Sequence, residues 1–268
     1  MHTTFLYGAN IHGNGIRQHY LRYGGRGQPL ILVPGITSPA PTWGFVADRL
    51  GKHFDVYVLD VRGRGLSQTG DDIDYSRATY ADDVGAFAAA MRLEAYVYLG
   101  HSMGARIGVL VGRKHGARIA SMILVDPPVS GPGRSPYPAT LDWYIDSIKL
   151  ASKGMDADAM RAFCPTWSDE HLRIRAEWLH TCNETAIIRS FNGLNEDNIH
   201  ADMPYLTMPV QLIAASRGGI ITPADISEIR QLIPQVHINV VENAGHMIPY
   251  ENEAGFFTAL REFLGVEV

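Results

Sequence analysis

The chain has 268 residues, which is long enough for one α/β domain with an insertion. Hydrophobic residues make up 46% and charged residues 19%, a composition typical of a folded globular protein rather than a disordered one. The formal net charge of −5 disfavours nucleic acid as a partner. No apolar run approaches the length of a membrane span, and residues 1–8 lack the pattern of a secretory signal. We therefore expect a soluble cytoplasmic protein without a membrane partner, and no oligomeric state is predicted.

The first half of the chain alternates predicted strands and helices. An Asn-Gly pair at 14–15 predicts an opening hairpin. The predicted strands are 5–10, 18–23, 29–33, 55–60, 96–100 and 119–125, and the predicted helices are 43–50, 80–92 and one that follows residue 104 to about residue 115. Repeated alternation of this kind predicts a mostly parallel sheet with helices on both faces.

The alternation stops after Asp126. A Pro/Gly-rich linker at 127–138 is followed by helical patterns alone, at 141–151, 156–163, 168–183 and 184–194. Strands and helices then resume at 209–214, 223–233, 236–241 and 251–264. The pattern predicts a core over 1–129 and 206–268, and a helical lid inserted at 130–205.

A short apolar strand pattern runs directly into Gly100-His101-Ser102-Met103-Gly104, and a helical pattern follows. This is G-x-S-x-G in a strand–turn–helix context, which predicts a serine nucleophile on a strained turn. Gly100 and Gly104 are expected because side chains there would collide with the neighbouring strand and helix. A serine hydroxyl needs a base to take its proton. His246 follows the last predicted strand in a Gly-His turn and is the expected base.

Four segments together resemble the α/β-hydrolase superfamily over essentially the whole chain. They are Val33-Pro34-Gly35-Ile36, Asp60-Val61-Arg62-Gly63-Arg64-Gly65-Leu66-Ser67, Gly100-His101-Ser102-Met103-Gly104 and Asn243-Ala244-Gly245-His246-Met247-Ile248-Pro249. The resemblance implies an α/β-hydrolase fold with a Ser-His-acid triad. It also implies an oxyanion hole made by the backbone N–H groups of Met103 and Ile36.

The acid of the triad departs from the superfamily's usual pattern. Relatives usually carry it after the strand that corresponds to 209–214, and that position falls at about Gly218, where no carboxylate occurs. Asp225 lies too far into the next predicted helix. Asp126 ends the preceding strand, and neighbouring strands lie only about 4.8 Å apart. We therefore expect Asp126 to orient His246.

This shifted acid narrows the resemblance to small bacterial hydrolases of pyridine-ring degradation, a family that includes N-formylmaleamate deformylases and (acetamidomethylene)succinate hydrolases. It implies hydrolysis of a small acidic amide through a formyl-enzyme, with water as second substrate and no metal or cofactor. The carboxylate of such a substrate needs a cation or several donors. Arg217 is the expected cation, with Trp143 and Tyr144 in the pocket wall. The lid offers further candidates, Arg161, Arg173, Arg175, Arg189, His180, Trp167 and Trp178.

Three alternatives stay open on the sequence alone. A generic carboxylesterase would share every motif and differ in the lid pocket. A carbon–carbon bond hydrolase of aromatic catabolism would normally carry its acid at the position of Gly218. A hydrolase-fold ligand receptor could keep the triad without turnover, so measured turnover separates it from the enzymes.

Overall fold

The computed structural model describes residues 3–268. Residues 1 and 2 belong to the segment expected to lack a secretory signal, and they lie outside the described residues. Its centre is an eight-stranded sheet in the order β1-β2-β4-β3-β5-β6-β7-β8. The strands are β1 Phe5–Gly13, β2 Ile16–Tyr23, β3 Pro29–Val33, β4 Asp55–Leu59, β5 Tyr96–His101, β6 Ile119–Val125, β7 Val210–Ala215 and β8 His237–Val241. The pairs β1–β2 and β2–β4 are antiparallel, and every other neighbouring pair is parallel. The predicted parallel sheet with an opening hairpin is confirmed.

Ten α-helices cover and cap this sheet within the described residues. They are α1 Gly44–Leu50, α2 Arg77–Ala90, α3 Met103–His115, α4 Leu141–Ala151, α5 Ala157–Met160, α6 Asp169–Leu179, α7 Glu184–Glu196, α8 Pro223–Leu232, α9 Ile248–Glu251 and α10 Glu253–Leu264. None of them is long and apolar enough to cross a membrane. Helix α2 starts before the predicted residue 80 because Ser76 caps it, accepting a hydrogen bond from the Thr79 N–H. The predicted closing helix is split because Asn252 caps α10.

The central strands are buried on both faces. Every residue of β4 and of β5 is buried, and β3 is buried after its first residue. Such unbroken burial is typical of parallel strands that have helices on both sides. It leaves the carboxyl ends of β3, β5, β6 and β8 as the part of the sheet where side chains can meet a ligand.

Helices α4 to α7 fall between β6 and β7, inside the segment 130–205 that we call the lid. Arg106, a buried residue of α3, joins this segment to the core. Its Nη1 donates to the carbonyl oxygens of Pro128 (2.6 Å) and Ser130 (2.9 Å), and its Nη2 donates to those of Gly193 (3.2 Å) and Asp197 (2.9 Å). Burial lowers the pKa of Arg106 to about 10, so it stays charged at neutral pH. One core side chain thus holds both ends of the lid against the sheet.

Candidate active site

Ser102 stands on the sharp turn between β5 and α3. Its backbone has φ 54° and ψ −117°, a strained conformation for a residue with a side chain. Two glycines make the turn possible, because a Cβ on Gly100 would overlap the Gly104 carbonyl and a Cβ on Gly104 would overlap the Val33 carbonyl. The Ser102 N–H donates to the Val125 carbonyl at 2.9 Å, which ties the turn to β6. The collision expected at both glycines is confirmed.

His246 lies between Ser102 and Asp126. Its Nε2 is 2.8 Å from Ser102 Oγ, and its Nδ1 is 2.7 Å from Asp126 Oδ2. With Nδ1–H donated to the carboxylate, Nε2 is the acceptor that can take the serine proton. The His246 side chain is 20% exposed and that of Asp126 is fully buried. The three side chains therefore form a continuous hydrogen-bonded chain that starts at the cavity wall and ends in the interior.

Asp126 is held by main-chain contacts after β6. Its φ is 45°, its N–H donates to the Ile213 carbonyl at 2.8 Å, and its second carboxylate oxygen accepts the Ala215 N–H at 3.1 Å. Gly218, the usual position of the acid, also lies beside the histidine loop, since a Cβ there would be 3.6 Å from the backbone nitrogen of His246. However, Gly218 has φ 96°, a conformation that an aspartate would adopt only with strain. The turn at Gly218 is thus shaped for glycine, and the carboxylate reaches His246 from the neighbouring strand.

His101, the residue before Ser102, supports the base from behind. Its Nε2 donates to the His246 carbonyl at 2.9 Å, and its ring packs between Trp43 and His246 at centroid distances of 5.2 and 5.0 Å. Burial, with a smaller effect of nearby His246, lowers the pKa of His101 to about 3. His101 is therefore a neutral hydrogen-bond donor and does not compete as a base.

The backbone groups expected to form the oxyanion hole flank Ser102. Met103 is the first residue of α3, so its N–H has no acceptor within the helix. The Ile36 N–H has no backbone or side-chain acceptor among the hydrogen bonds of residues 3–268. Gly35 lies close beside the nucleophile, since a Cβ there would be 3.4 Å from Ser102 Cβ. Both N–H groups are therefore available next to the serine.

A cavity of about 460 Å³ opens in front of Ser102 and His246, between the sheet and the lid. The predicted wall residues Trp143 and Tyr144 line it, together with Trp167 and Tyr137. The Tyr137 hydroxyl is 3.1 Å from that of Tyr144. No group of three or more metal-ligating side chains occurs within residues 3–268. The cavity is thus a small, largely aromatic chamber with the nucleophile on one wall.

Among residues 3–268, Arg175 of α6 is the only arginine or lysine that lines this cavity, and it is 4% exposed. Its Nη1 donates to the Thr37 carbonyl at 3.1 Å and its Nη2 contacts Thr37 Oγ1 at 3.2 Å, while its buried Nε has no partner in the described part of the chain. No carboxylate lies within 4.0 Å of it in residues 3–268, and the one acidic wall residue, Glu251, accepts the Gly245 N–H instead. A buried cation without a counter-ion favours an anionic ligand.

The other predicted cations lie elsewhere. Arg217 is exposed and donates to the Asn243 carbonyl, and it does not line the cavity. Arg161 and Arg173 pair with Asp169 and Glu177 on the lid surface. Arg189 and His180 are exposed and also lie outside this cavity. Among the predicted cations, the structure therefore brings Arg175 and not Arg217 to the nucleophile's cavity. One clue to Arg175 was its place in the apolar stripe of α6, with Leu172, Ala176 and Leu179.

Residues 28–253 match the family model described as alpha/beta hydrolase fold. The chain belongs to the α/β-hydrolase family. The match spans the nucleophile turn, the lid and the histidine loop, so the family covers every element of the site. The hydrolase fold and the serine-hydrolase class expected from the motifs are confirmed.

Two deformylases are strongly similar to this member of the family. The N-formylmaleamate deformylase of Pseudomonas putida KT2440 is 57% identical over 262 residues, which cover 98% of each chain. The crystal structure of an N-formylmaleamic acid deformylase variant from Pseudomonas putida S16 superposes with a TM-score of 0.91 at 55% identity, covering 95% of this chain and 99% of that one. The 2-(acetamidomethylene)succinate hydrolase of Mesorhizobium japonicum is more distant, at 25% identity over 85% of this chain and 84% of its own. The resemblance to the deformylases is confirmed.

Proposed function

We propose that this chain is an N-formylmaleamate deformylase that hydrolyses its substrate to maleamate and formate. The observation that carries the proposal is one cavity that contains Ser102, hydrogen-bonded to His246, and a buried Arg175 without a carboxylate partner. A small substrate with a reactive acyl group and a carboxylate matches both features. The relative at 57% identity is named N-formylmaleamate deformylase, and this name supports the same assignment here.

The first half of the reaction transfers the formyl group to Ser102. His246 takes the proton from Ser102 Oγ as the oxygen attacks the formyl carbon, and Asp126 stabilises the imidazolium that forms. The N–H groups of Ile36 and Met103 donate to the oxyanion of the tetrahedral intermediate. When the intermediate collapses, the carbon–nitrogen bond breaks and His246 returns the proton to the leaving nitrogen. Maleamate leaves, and a formyl ester remains on Ser102.

The second half uses water as the nucleophile. His246 takes a proton from a water molecule, which attacks the formyl ester through the same oxyanion hole. Collapse of the second intermediate breaks the bond to Ser102 Oγ, and His246 gives its proton back to the serine. Formic acid leaves and ionises to formate and a proton, so one water is consumed for each substrate and the enzyme returns to its starting state.

The maleamate half of the substrate carries the carboxylate, and we assign its recognition to Arg175. The buried guanidinium Nε has no hydrogen-bond partner within residues 3–268, and the rings of Trp143 and Trp167 lie 5.9 and 5.6 Å from the guanidinium carbon. These rings exclude water and strengthen a charge-assisted hydrogen bond to an anion. Recognition of the substrate thus depends on the lid, whereas the nucleophile, base and acid come from the core.

A cytoplasmic location stays a prediction from the sequence.

The test measures formate release from N-formylmaleamate by the wild-type protein and by Ser102→Ala. Ser102→Ala adds no bulk and leaves the cavity intact, so loss of release by about 10⁴-fold or more is expected if Ser102 is the nucleophile. Maleamate formed in equal amount to formate would identify the bond that breaks.

Two other outcomes would replace the proposal. Turnover of a simple aryl ester without formate release would make the chain a carboxylesterase. Saturable binding of N-formylmaleamate with no turnover of either compound would favour the receptor alternative.

A further inference from the structure

Arg64 is a buried arginine that the reaction scheme above does not use. It lies in the turn between β4 and α2, is 1% exposed, and has no carboxylate within 4.0 Å among residues 3–268. Its guanidinium donates only to neutral atoms of the protein. They are the Ile36 carbonyl (2.9 Å), the Arg62 carbonyl (2.9 Å), the Tyr80 hydroxyl (2.7 Å), Ser190 Oγ (2.8 Å), the Ala186 carbonyl (3.4 Å) and Met103 Sδ (3.7 Å).

Two of these acceptors belong to the residues that carry the oxyanion hole. Arg64 Nε binds the carbonyl of Ile36, and Nη2 contacts the side chain of Met103. When the carbonyl of a residue is held by a hydrogen bond, the N–H of the same residue can change direction only through φ and ψ of that residue. The contact to the Ile36 carbonyl therefore restricts the direction of the Ile36 N–H. A single guanidinium, which does not line the cavity, therefore fixes the loop after β3 and contacts the first residue of α3.

The remaining contacts join this group to the lid. Ser190 and Ala186 lie on α7, and the Ser190 hydroxyl is also 2.7 Å from the Tyr80 hydroxyl. Arg64 lies in a turn that Asp60 stabilises. The Asp60 carboxylate accepts the Ala40 N–H (2.6 Å) and the Leu66 N–H (3.0 Å). The oxyanion loop, α2 and the lid helix α7 thus meet at one cation.

We propose that Arg64 is a positioning residue that sets the oxyanion hole and links its geometry to the docking of lid helix α7. Its hydrogen bond to the Ile36 carbonyl aims the Ile36 N–H toward the oxyanion, and its uncompensated positive charge favours the negative charge that develops on that oxygen. The inference rests on the proposed function, because it assumes that Ile36 and Met103 serve the oxyanion. It predicts an effect on the transition state rather than on substrate binding.

The test compares Arg64→Met with Tyr80→Phe, which removes another partner of Arg64 without touching Ile36. Arg64→Met should lower kcat for formate release by about 10- to 100-fold, somewhat less than the loss of an oxyanion donor itself. KM and the inhibition constant of maleamate should change by less than about threefold, because the cavity wall is unaltered. Tyr80→Phe should keep kcat within about threefold of the wild-type value.

A kcat within twofold of wild type in folded Arg64→Met would overturn the proposal, and so would equal losses in kcat and in maleamate binding. If Arg64→Met does not fold, Arg64→Lys and Ser190→Ala take its place. Lysine keeps the positive charge but not the planar guanidinium, and Ser190→Ala removes the hydroxyl contact to α7 while leaving the hydrogen bond to Ile36. Each should lower kcat by a few-fold at unchanged KM. If the wild-type protein releases no formate, the same variants are compared on an aryl acetate, whose carbonyl needs the same oxyanion hole. Failure of the deformylase assignment is then distinguishable from failure of the role of Arg64.

Discussion

The rim of the sheet and the lid contribute to the same cavity in different ways. Ser102 and Asp126 are held by their own main chain, each with positive φ and each with its N–H bonded to a neighbouring strand. Arg175 reaches the cavity as a long side chain from the middle of α6, where Thr37 accepts its hydrogen bonds. The chemical groups are therefore fixed by backbone strain in the core, whereas recognition depends on side chains packed between lid and sheet. Changes at the rim should reduce kcat, and changes to the lid side chains that line the cavity should raise KM.

After Ser102→Ala, the largest effect is expected for Asp126→Asn, because it removes a buried charge from the rim without changing the shape of the side chain. An amide at this position no longer favours the Nδ1–H tautomer of His246, and it does not stabilise the imidazolium. We expect kcat for formate release to fall by about 10³- to 10⁴-fold, with KM nearly unchanged.

Asp225→Asn is the matched control for this variant. Asp225 is a half-buried residue of the capping box of α8, where its carboxylate accepts the Thr222 N–H. Its replacement should leave kcat unchanged. A tenfold or smaller loss in Asp126→Asn would mean that another group orients His246.

A change in the lid should have an intermediate effect and act on a different constant. Arg175→Met keeps an unbranched apolar stem and removes the guanidinium charge, so KM for N-formylmaleamate should rise about ten- to hundredfold, the range expected for a charge-assisted hydrogen bond. The fall in kcat should be smaller. Steady-state formate release over a range of substrate concentrations measures both constants.

The control for this variant is Arg217→Met, which removes the exposed arginine that lies outside the cavity. Its KM should equal that of the wild-type protein. A methyl ester of the substrate lacks the negative charge, so wild type and Arg175→Met should have similar KM values for it. If Arg217→Met raised KM more than Arg175→Met, the carboxylate would bind outside this cavity.

The smallest effect concerns His101, and it appears in stability. Its folded pKa of about 3 lies below the ordinary value of 6.5, so below about pH 6.5 the unfolded chain binds a proton that the folded chain does not. The free energy of unfolding therefore has its full value, as far as His101 is concerned, above about pH 6.5, and it falls as the pH decreases toward 3. Between pH 7 and pH 5, His101→Gln should lose about 1–2 kcal/mol less free energy of unfolding than the wild-type protein.

Urea unfolding at the two pH values measures this difference. The exposed His180 provides the control, because His180→Gln removes a histidine that solvent surrounds and should keep the wild-type pH dependence. Equal losses in wild type and His101→Gln would show that His101 is protonated in the folded protein.

Most of the fold and the rim of the site could be predicted from the sequence because their signals are local. The strand patterns, Gly100 and Gly104 around Ser102, and the Gly-His turn at His246 each depend on residues within a few positions of one another. The helix ends were less predictable, since caps such as Ser76 and Asn252 decide them through single hydrogen bonds. The roles of Ser102, His246 and Asp126 stay predictions that the geometry supports.

The sequence by itself determined the strand–turn–helix that presents the nucleophile. It also has no acid at Gly218, which leaves Asp126 as the expected acid of the triad. Only the tertiary structure decided which arginine faces the substrate. Arg175 and Arg217 have the same chemistry, and their difference arises because α6 packs its apolar stripe inward while the turn at Arg217 faces solvent. The same holds for Arg64, whose partners Ile36, Tyr80 and Ser190 are far apart in the chain. Burial without a counter-ion, which makes both residues informative, is a property of packing and has no signature in a short stretch of sequence.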